Sequence, residues 1–439
     1  MVEYERTDLG RVDLGGSTSL SKLNPLDLKR KYAELRTDYE KVKAQNLKLD
    51  MSRGKPCPEQ FDLSSGMLDC VDKDHYKSPS GVDCRNYGGV DGLPEVKALF
   101  APMLDVDPEE IIIGGNSSLN MMHDTIARAM LFGVLGSMVP WGKLPVVKFL
   151  CPSPGYDRHF ALCELFDIEM ITIEMTENGP NMEEVEKLVA QDETIKGIWC
   201  IPRYSNPTGI TFSAETVERL ARMRTKADDF RIFWDNAYII HHLTAEPEPL
   251  KNILDACKEA GNPERVFIFA STSKISFSGA GVAMMAASTR NIDHIRKQLA
   301  FQTIGPDKLN QLRHLIFFRN LDGIEEHMKK HAAIIAPKFE LVLRMLRTEL
   351  AEIATWHEPK GGYFINFNTM EGCAKRVVQL AAEAGVVLTP AGATFPYGKD
   401  PLDRNIRLAP TFPTLDELEK AMEVFALCVK LASVERLLK

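Results

Sequence analysis

Four short segments carry side chains that could do chemistry together. Ser271-Thr272-Ser273-Lys274 follows the apolar run Val266–Ala270, so a strand would deliver an amine into an apolar crevice. A desolvated lysine gives up its proton more readily and can condense with an aldehyde. Asp235-Asn236-Ala237-Tyr238 follows Phe230–Trp234 in the same manner. A carboxylate at the carboxyl edge of a sheet could hold a protonated ring nitrogen and keep that ring able to accept electrons. Asn206-Pro207-Thr208-Gly209 follows Ile198–Ile201, and the Asn206 amide would suit a phenolate as a donor. Gly114-Gly115-Asn116-Ser117-Ser118 lies between Ile111–Ile113 and a helix starting near Leu119. Backbone N–H groups at a helix N-terminus, with hydroxyls beside them, make an anion cradle. Each segment also has a plainer reading: a solvated lysine, an N-cap or turn aspartate, an ordinary Asn-Pro turn, and a glycine-rich turn without a ligand.

The elements that must position these groups are legible in the patterning. Short β-rich runs at Ile111–Ile113, Val146–Leu150, Ile168–Ile173, Ile198–Ile201, Arg231–Trp234, Val266–Ala270 and Val282–Ala287 alternate with helical patterns. That alternation predicts an α/β fold with a mostly parallel sheet covered on both faces, which binds its ligands beyond the carboxyl ends of the strands. In one intervening helix, Ser213–Arg224, Ser213 caps the first turn and Val217, Leu220 and Ala221 form the apolar face. Beyond Asn291 the pattern turns helical, with a long charged segment Asp322–Glu349, a strand-like Gly362–Asn366 and a final helix from about Thr414. This predicts a second, smaller α+β domain. Before about Met51 the chain is charged and helix-prone over Leu26–Leu49, which reads as an arm or peripheral helix. The expected division is an N-terminal arm over 1–55 belonging with the small domain, a large domain over 56–320 and a small C-terminal domain over 321–439.

Composition narrows the function classes. A net charge of -8 gives no general attraction to nucleic acid or to an anionic membrane surface, which points to small-molecule partners. Nine scattered cysteines without a C-x-x-C pair resemble neither a disulfide framework nor a zinc site and suit reduced thiols in the cytoplasm. Met1–Gly10 has no basic start followed by an apolar run, so no signal peptide is expected, and no uncharged apolar stretch is long enough to span a bilayer. His327 and His331 have helical i, i+4 spacing, but their charged segment reads as a solvated face, and His241-His242 lacks a third ligand, so no metal is expected. No G-x-G-x-x-G follows a strand, which counts against a nicotinamide dehydrogenase.

The order of the segments is more specific than any one of them: anion cradle, the aromatic Tyr156 in Pro152-Ser-Pro-Gly-Tyr156, Asn-Pro-Thr-Gly, Asp-x-x-Tyr, Ser-x-Ser-Lys, and Arg407 in Asn405-Ile-Arg407-Leu408. In that order the sequence resembles the aspartate aminotransferase family of pyridoxal 5'-phosphate (PLP) enzymes from about Ser52 onward, with detailed likeness to its MocR-like, or class Ic, subgroup. The resemblance implies the PLP-dependent transferase fold (fold type I). It implies that Lys274 carries the cofactor as a Schiff base and moves the substrate's α-proton, with Asp235 on the pyridinium nitrogen and Asn206 and Tyr238 on the ring's phenolic oxygen. Tyr156 would stack on the ring, while Ser117, Ser118, Ser271, Ser273 and the Gly115-Asn116 turn would bind phosphate. Tyr87 would reach the phosphate of a neighbouring subunit, implying a homodimer with shared active sites. Arg407 would clamp the substrate α-carboxylate, with Gly54 approaching the same group; Gly361 and Gly362 would be turn residues. One departure stands out. The family's phosphate-neutralising arginine about eight residues after the lysine is absent from Ile275–Val282, so Ser276, Ser278 or a basic group from elsewhere must serve.

The implied reaction is a ping-pong transamination between an amino acid and a 2-oxo acid, with L-aspartate or L-glutamate and 2-oxoglutarate as the expected pair. A distal carboxylate would need a second cation, for which Arg53, Lys55 and Arg203 are candidates. The same scaffold hosts lyases and decarboxylases. A non-catalytic regulator fused to a DNA reader is disfavoured by the short N-terminal segment and the acidic chain.

Overall fold

The computed structural model describes Leu20 and residues 23–439. The expectation about Met1–Gly10 lies outside them, as does the arm before Leu20. The main sheet has eight strands in the spatial order Ile111–Ile113, Ala283–Ala286, Val266–Ser271, Arg231–Asp235, Ile195–Cys200, Lys148–Ser153, Glu169–Thr176 and Gly179–Pro180. All of the predicted runs are strands, with edges displaced by at most three residues. From Val266–Ser271 across to Glu169–Thr176 every pairing is parallel, while Ala283–Ala286 runs antiparallel to both of its neighbours.

The strand order fixes where a ligand can sit. From Lys148–Ser153 the chain adds Glu169–Thr176 on one side; from Ile195–Cys200 it adds Arg231–Asp235 and Val266–Ser271 on the other. The winding direction therefore reverses between Lys148–Ser153 and Ile195–Cys200, and a crevice opens beyond their carboxyl ends. Tyr156 and Asn206 leave the sheet from those two strands.

Period-two alternation separates the two faces. Phe149, Trp199, Phe233, Phe267 and Phe269 pack on the helices Ser118–Phe132, Asp157–Leu165 and Thr289–Gln302. Leu150, Ile198, Ile232, Trp234 and Ile268 pack on Pro94–Leu104, Ala214–Arg222 and Ile253–Glu259. A second core gathers the three-stranded sheet Thr355–Trp356, Ile365–Asn368 and Asn405–Leu408 against the helices Pro25–Lys43, Ala374–Glu383 and Leu415–Leu437. The helix Leu321–Glu349 joins the two, giving Ile324 and Met328 to the first and Phe339, Val342 and Leu346 to the second.

Three expectations change. The helix Pro25–Lys43 is not peripheral: Leu28, Leu35 and Tyr39 are buried in the second core, and the Tyr39 hydroxyl donates to the Leu380 carbonyl at 2.9 Å. Leu35→Ala should therefore lower stability by about 2–4 kcal/mol, the usual loss for a truncated core leucine. A thermal midpoint unchanged from wild type would place this helix outside the core. The strand expected from Gly362 begins only at Ile365. Gly362 has φ +80°, and a Cβ there would meet the Tyr204 Cβ at 2.7 Å, so the preceding residues form a tight turn against Tyr204.

Finally, His327 and His331 are buried, not solvated: the charged neighbours Glu325, Glu326, Lys329 and Lys330 lie on the opposite face of their helix. His327 lies 2.9 Å from the Ile275 carbonyl and 3.2 Å from Ser64 Oγ, and His331 Nδ1 is 2.9 Å from the Gln60 amide. Their rings brace the segment that follows Lys274. All nine cysteines are free, eight of them buried. Among the described residues no helix is long and apolar enough to cross a membrane.

Candidate active site

At the carboxyl ends of the central strands lies a cavity of about 380 Å³, lined by Gly54, Ser117, Ser118, Tyr156, Asn206, Asp235, Tyr238, Ser271, Ser273, Lys274 and Arg407 among others. Residues separated by more than 350 positions thus meet in one space, because the strand ends converge there and the Asn405–Leu408 strand of the second sheet faces them.

Asp235 ends its strand almost completely buried. Its Oδ2 lies 3.0 Å from His159 Nε2, while its Oδ1 is buried without any partner. His159 is itself held by stacking on Trp199, with ring centroids 4.1 Å apart and planes within 8°. A buried carboxylate oxygen left without a donor is unfavourable by itself. It fits a site built to receive an N–H.

Lys274 Nζ lies 5.0 Å from the Tyr238 ring centroid and 5.9 Å from that of Tyr363. Burial holds its pKa below the usual lysine value, and the Asp235 carboxylate opposes that shift. Burial, reinforced by the Asp235 carboxylate, pushes the Tyr238 phenol well above its ordinary range, and burial raises Tyr156 to about 12. Both phenols stay protonated and available as donors at neutral pH.

Arg407 is buried, not on a surface strand. Its Nη1 donates to Asp157 Oδ1 at 2.9 Å and to Asn206 Oδ1 at 3.2 Å, and its Nη2 to Thr389 Oγ1 at 3.4 Å. The guanidinium carbon stands 4.7 Å over the Phe364 ring. Because Asn206 accepts through Oδ1, its amide Nδ2 remains to donate elsewhere. Gly54 is needed for packing: a Cβ there would collide with the Phe364 ring that supports Arg407.

Several expected members stand apart. Gly115 and Asn116 are not among the lining residues. The Gly115 carbonyl accepts from Ala283 N at 2.7 Å and the Asn116 amide reaches the Gly279 carbonyl at 3.3 Å, so they brace the turn and leave Ser117 and Ser118 facing the cavity. Tyr87 is 81% exposed and does not line the cavity of its own chain. Ser276 is buried against Thr272 and His314, away from the cavity, whereas Ser278 lines it. Arg203 points into a separate cavity of about 210 Å³ and donates to the Ile239 and Glu248 carbonyls. Arg53 and Lys55 do line the main cavity, joined by Arg158, which sequence reasoning passed over. It also passed over His159 and Asp157, whose partners lie 76 and 250 residues away.

A model of the family described as "Aspartate amino-transferase" matches residues 23–439. The chain belongs to the aspartate aminotransferase family. A Mycolicibacterium smegmatis relative is 50% identical over 424 residues, covering 96% of this chain and 99% of that one. A solved aspartate transaminase from Corynebacterium glutamicum is 43% identical, with a TM-score of 0.93 over 96% of this chain and 100% of that one. The fold extends to an α-aminoadipate aminotransferase of Thermus thermophilus bound to N-(5'-phosphopyridoxyl)-L-leucine, 20% identical, TM-score 0.72 over 89% of this chain and 93% of that one. For an aspartate aminotransferase family site, the residues here fit PLP on their own chemistry: an amine of lowered pKa, an unpartnered buried carboxylate oxygen and a cluster of hydroxyls share one cavity.

Proposed function

We propose that this protein is a PLP-dependent aminotransferase that takes the amino group of L-aspartate or L-glutamate and passes it to 2-oxoglutarate by a ping-pong mechanism. The observation that carries the reading is the unpartnered Oδ1 of Asp235 in the same cavity as Lys274 and Arg407.

Bound PLP supplies the aldehyde that takes up the amino group and the ring that draws electrons from the α-carbon. Asp235 Oδ1 would accept from a protonated ring nitrogen, with His159 holding Oδ2 in place. Asn206 Nδ2 and the Tyr238 hydroxyl would donate to the phenolic oxygen, and Tyr156 would pack against the ring. Ser117, Ser118, Ser271 and Ser273 would bind phosphate, with Ser278 lining the same cavity. The two planar donors of Arg407 orient the substrate through its α-carboxylate. Such a clamp would fix the orientation of the substrate's α-carbon in the cavity. Lys274 Nζ, a buried amine of lowered pKa, would serve as the base that carries the α-proton. For a distal carboxylate, Arg53, Lys55 and Arg158 are the cations in reach.

A homodimer with shared sites is supported by the exposed Tyr87, Phe301 and Ile304, at 81%, 95% and 62%: the Gly88 N–H to Ile304 carbonyl bond ties the segments of Tyr87 and Ile304, and Phe301 lies at the end of the helix that leads into the latter. Apolar side chains this exposed favour burial against a partner.

The test is spectroscopic. L-aspartate added to the PLP-loaded protein should convert the visible band of the lysine-bound cofactor to that of its aminated form, and 2-oxoglutarate should restore it. A stable visible band that ignores both compounds would sink the aspartate assignment, and the absence of any band would sink the cofactor reading.

A further inference from the structure

Arg407 already has an acidic partner within its own chain. Asp157 Oδ1 sits 2.9 Å from its Nη1, a contact between groups 250 residues apart. The two side chains differ in exposure, 8% for Arg407 and 36% for Asp157, so the acid reaches the buried guanidinium from the solvent side of the cavity that both line. Asp157 is the first residue of the helix Asp157–Leu165 and immediately follows Tyr156.

We infer that Asp157 stands in for the substrate carboxylate, holding Nη1 of Arg407 between turnovers and giving it up when the amino acid or oxo acid binds. This rests on the reading of Arg407 as the carboxylate clamp. A buried cation without a counter-charge is strongly unfavourable, and Asp157 relieves that while no substrate is present. Its hold is a one-point contact, whereas a substrate carboxylate can take two parallel N–H donors and so displace it. The displaced carboxylate has water on one side and a helix N-terminus beside it, which lowers the penalty of release. The orientation of Arg407 does not depend on this contact, because Asn206, Thr389 and the Phe364 ring hold the guanidinium independently. Asp157 is thus a competitor built into the site, one that a ligand without a carboxylate has no means to displace.

The test measures succinate, a dicarboxylate with no amino group, binding to the PLP-loaded protein by calorimetry. Asp157→Asn keeps the shape and removes the charge, and should tighten succinate about five-fold, the equivalent of an ion pair worth ~1 kcal/mol. Asp157→Glu should return binding to the wild-type value. Damage of a purely structural kind would loosen binding, so equal or weaker affinity in Asp157→Asn, with Arg407→Lys abolishing binding, overturns the role of Asp157 and leaves the clamp intact. If Arg407→Lys binds succinate as wild type does, the clamp reading fails first and the competitor falls with it.

Discussion

Lys274→Ala will take up PLP without the visible band of the lysine-bound cofactor, and its turnover of L-aspartate will drop by at least about 10⁴-fold. Two losses combine in that figure. The amine is the group proposed to condense with the cofactor aldehyde and also the base proposed to carry the α-proton. The pH dependence of loading separates this amine from an ordinary one. Only the neutral amine attacks an aldehyde, and burial lowers the Lys274 pKa. The rate at which added PLP develops the band should therefore rise with pH and level off below the usual lysine value of about 10.4. The other lysine lining the cavity, Lys55, has its Nζ 3.7 Å over the Phe412 ring. A visible band that survives in Lys274→Ala and vanishes in Lys55→Ala would transfer the whole assignment to Lys55.

How much of this was legible in the sequence depended on the range of the interaction. The strands of the sheet were readable because each is a short apolar run bounded by helical periodicity, and a buried parallel strand has little choice but to look like that. The four segments that follow those strands needed only the rule that open sheets bind at their carboxyl ends, and Lys274, Asp235, Asn206 and Ser117 do meet there. What failed was whatever depended on contacts distant in the chain. His159 reads as one more helical residue until Asp235 and Trp199 are seen beside it. His327 and His331 sit among charges in sequence, but a helix turns those charges to the other face and leaves the two imidazoles against Ile275 and Gln60. Arg203 is three residues before Asn206 in the chain, yet the turn that carries Asn206 inward sends Arg203 to a different cavity. The helix Pro25–Lys43 looked peripheral because it is so charged, although three positions on one side are enough to dock it.

Asp235→Asn is the substitution that bears most directly on the chemistry. Its kcat should drop by roughly 10²–10⁴-fold while the protein stays folded. A loss of that size corresponds to about 3–5 kcal/mol of transition-state stabilisation, on the scale of removing one preorganised electrostatic partner. An asparagine oxygen can still accept from His159 Nε2, so the packing of His159 on Trp199 survives. The neutral amide cannot hold a proton on the ring nitrogen as a carboxylate does, so the ring draws electrons less strongly and the α-proton becomes harder to remove. The loss should therefore fall on kcat and on the deuterium isotope effect for the α-hydrogen, not on the Kd of succinate, which is proposed to depend on Arg407. His159→Ala leaves the carboxylate in place and removes only its orientation, so it should be milder than Asp235→Asn. If Asp235→Asn retains kcat within about ten-fold of wild type, no charge pair with the ring is being broken, and the unpartnered Oδ1 must accept from some group other than the ring nitrogen.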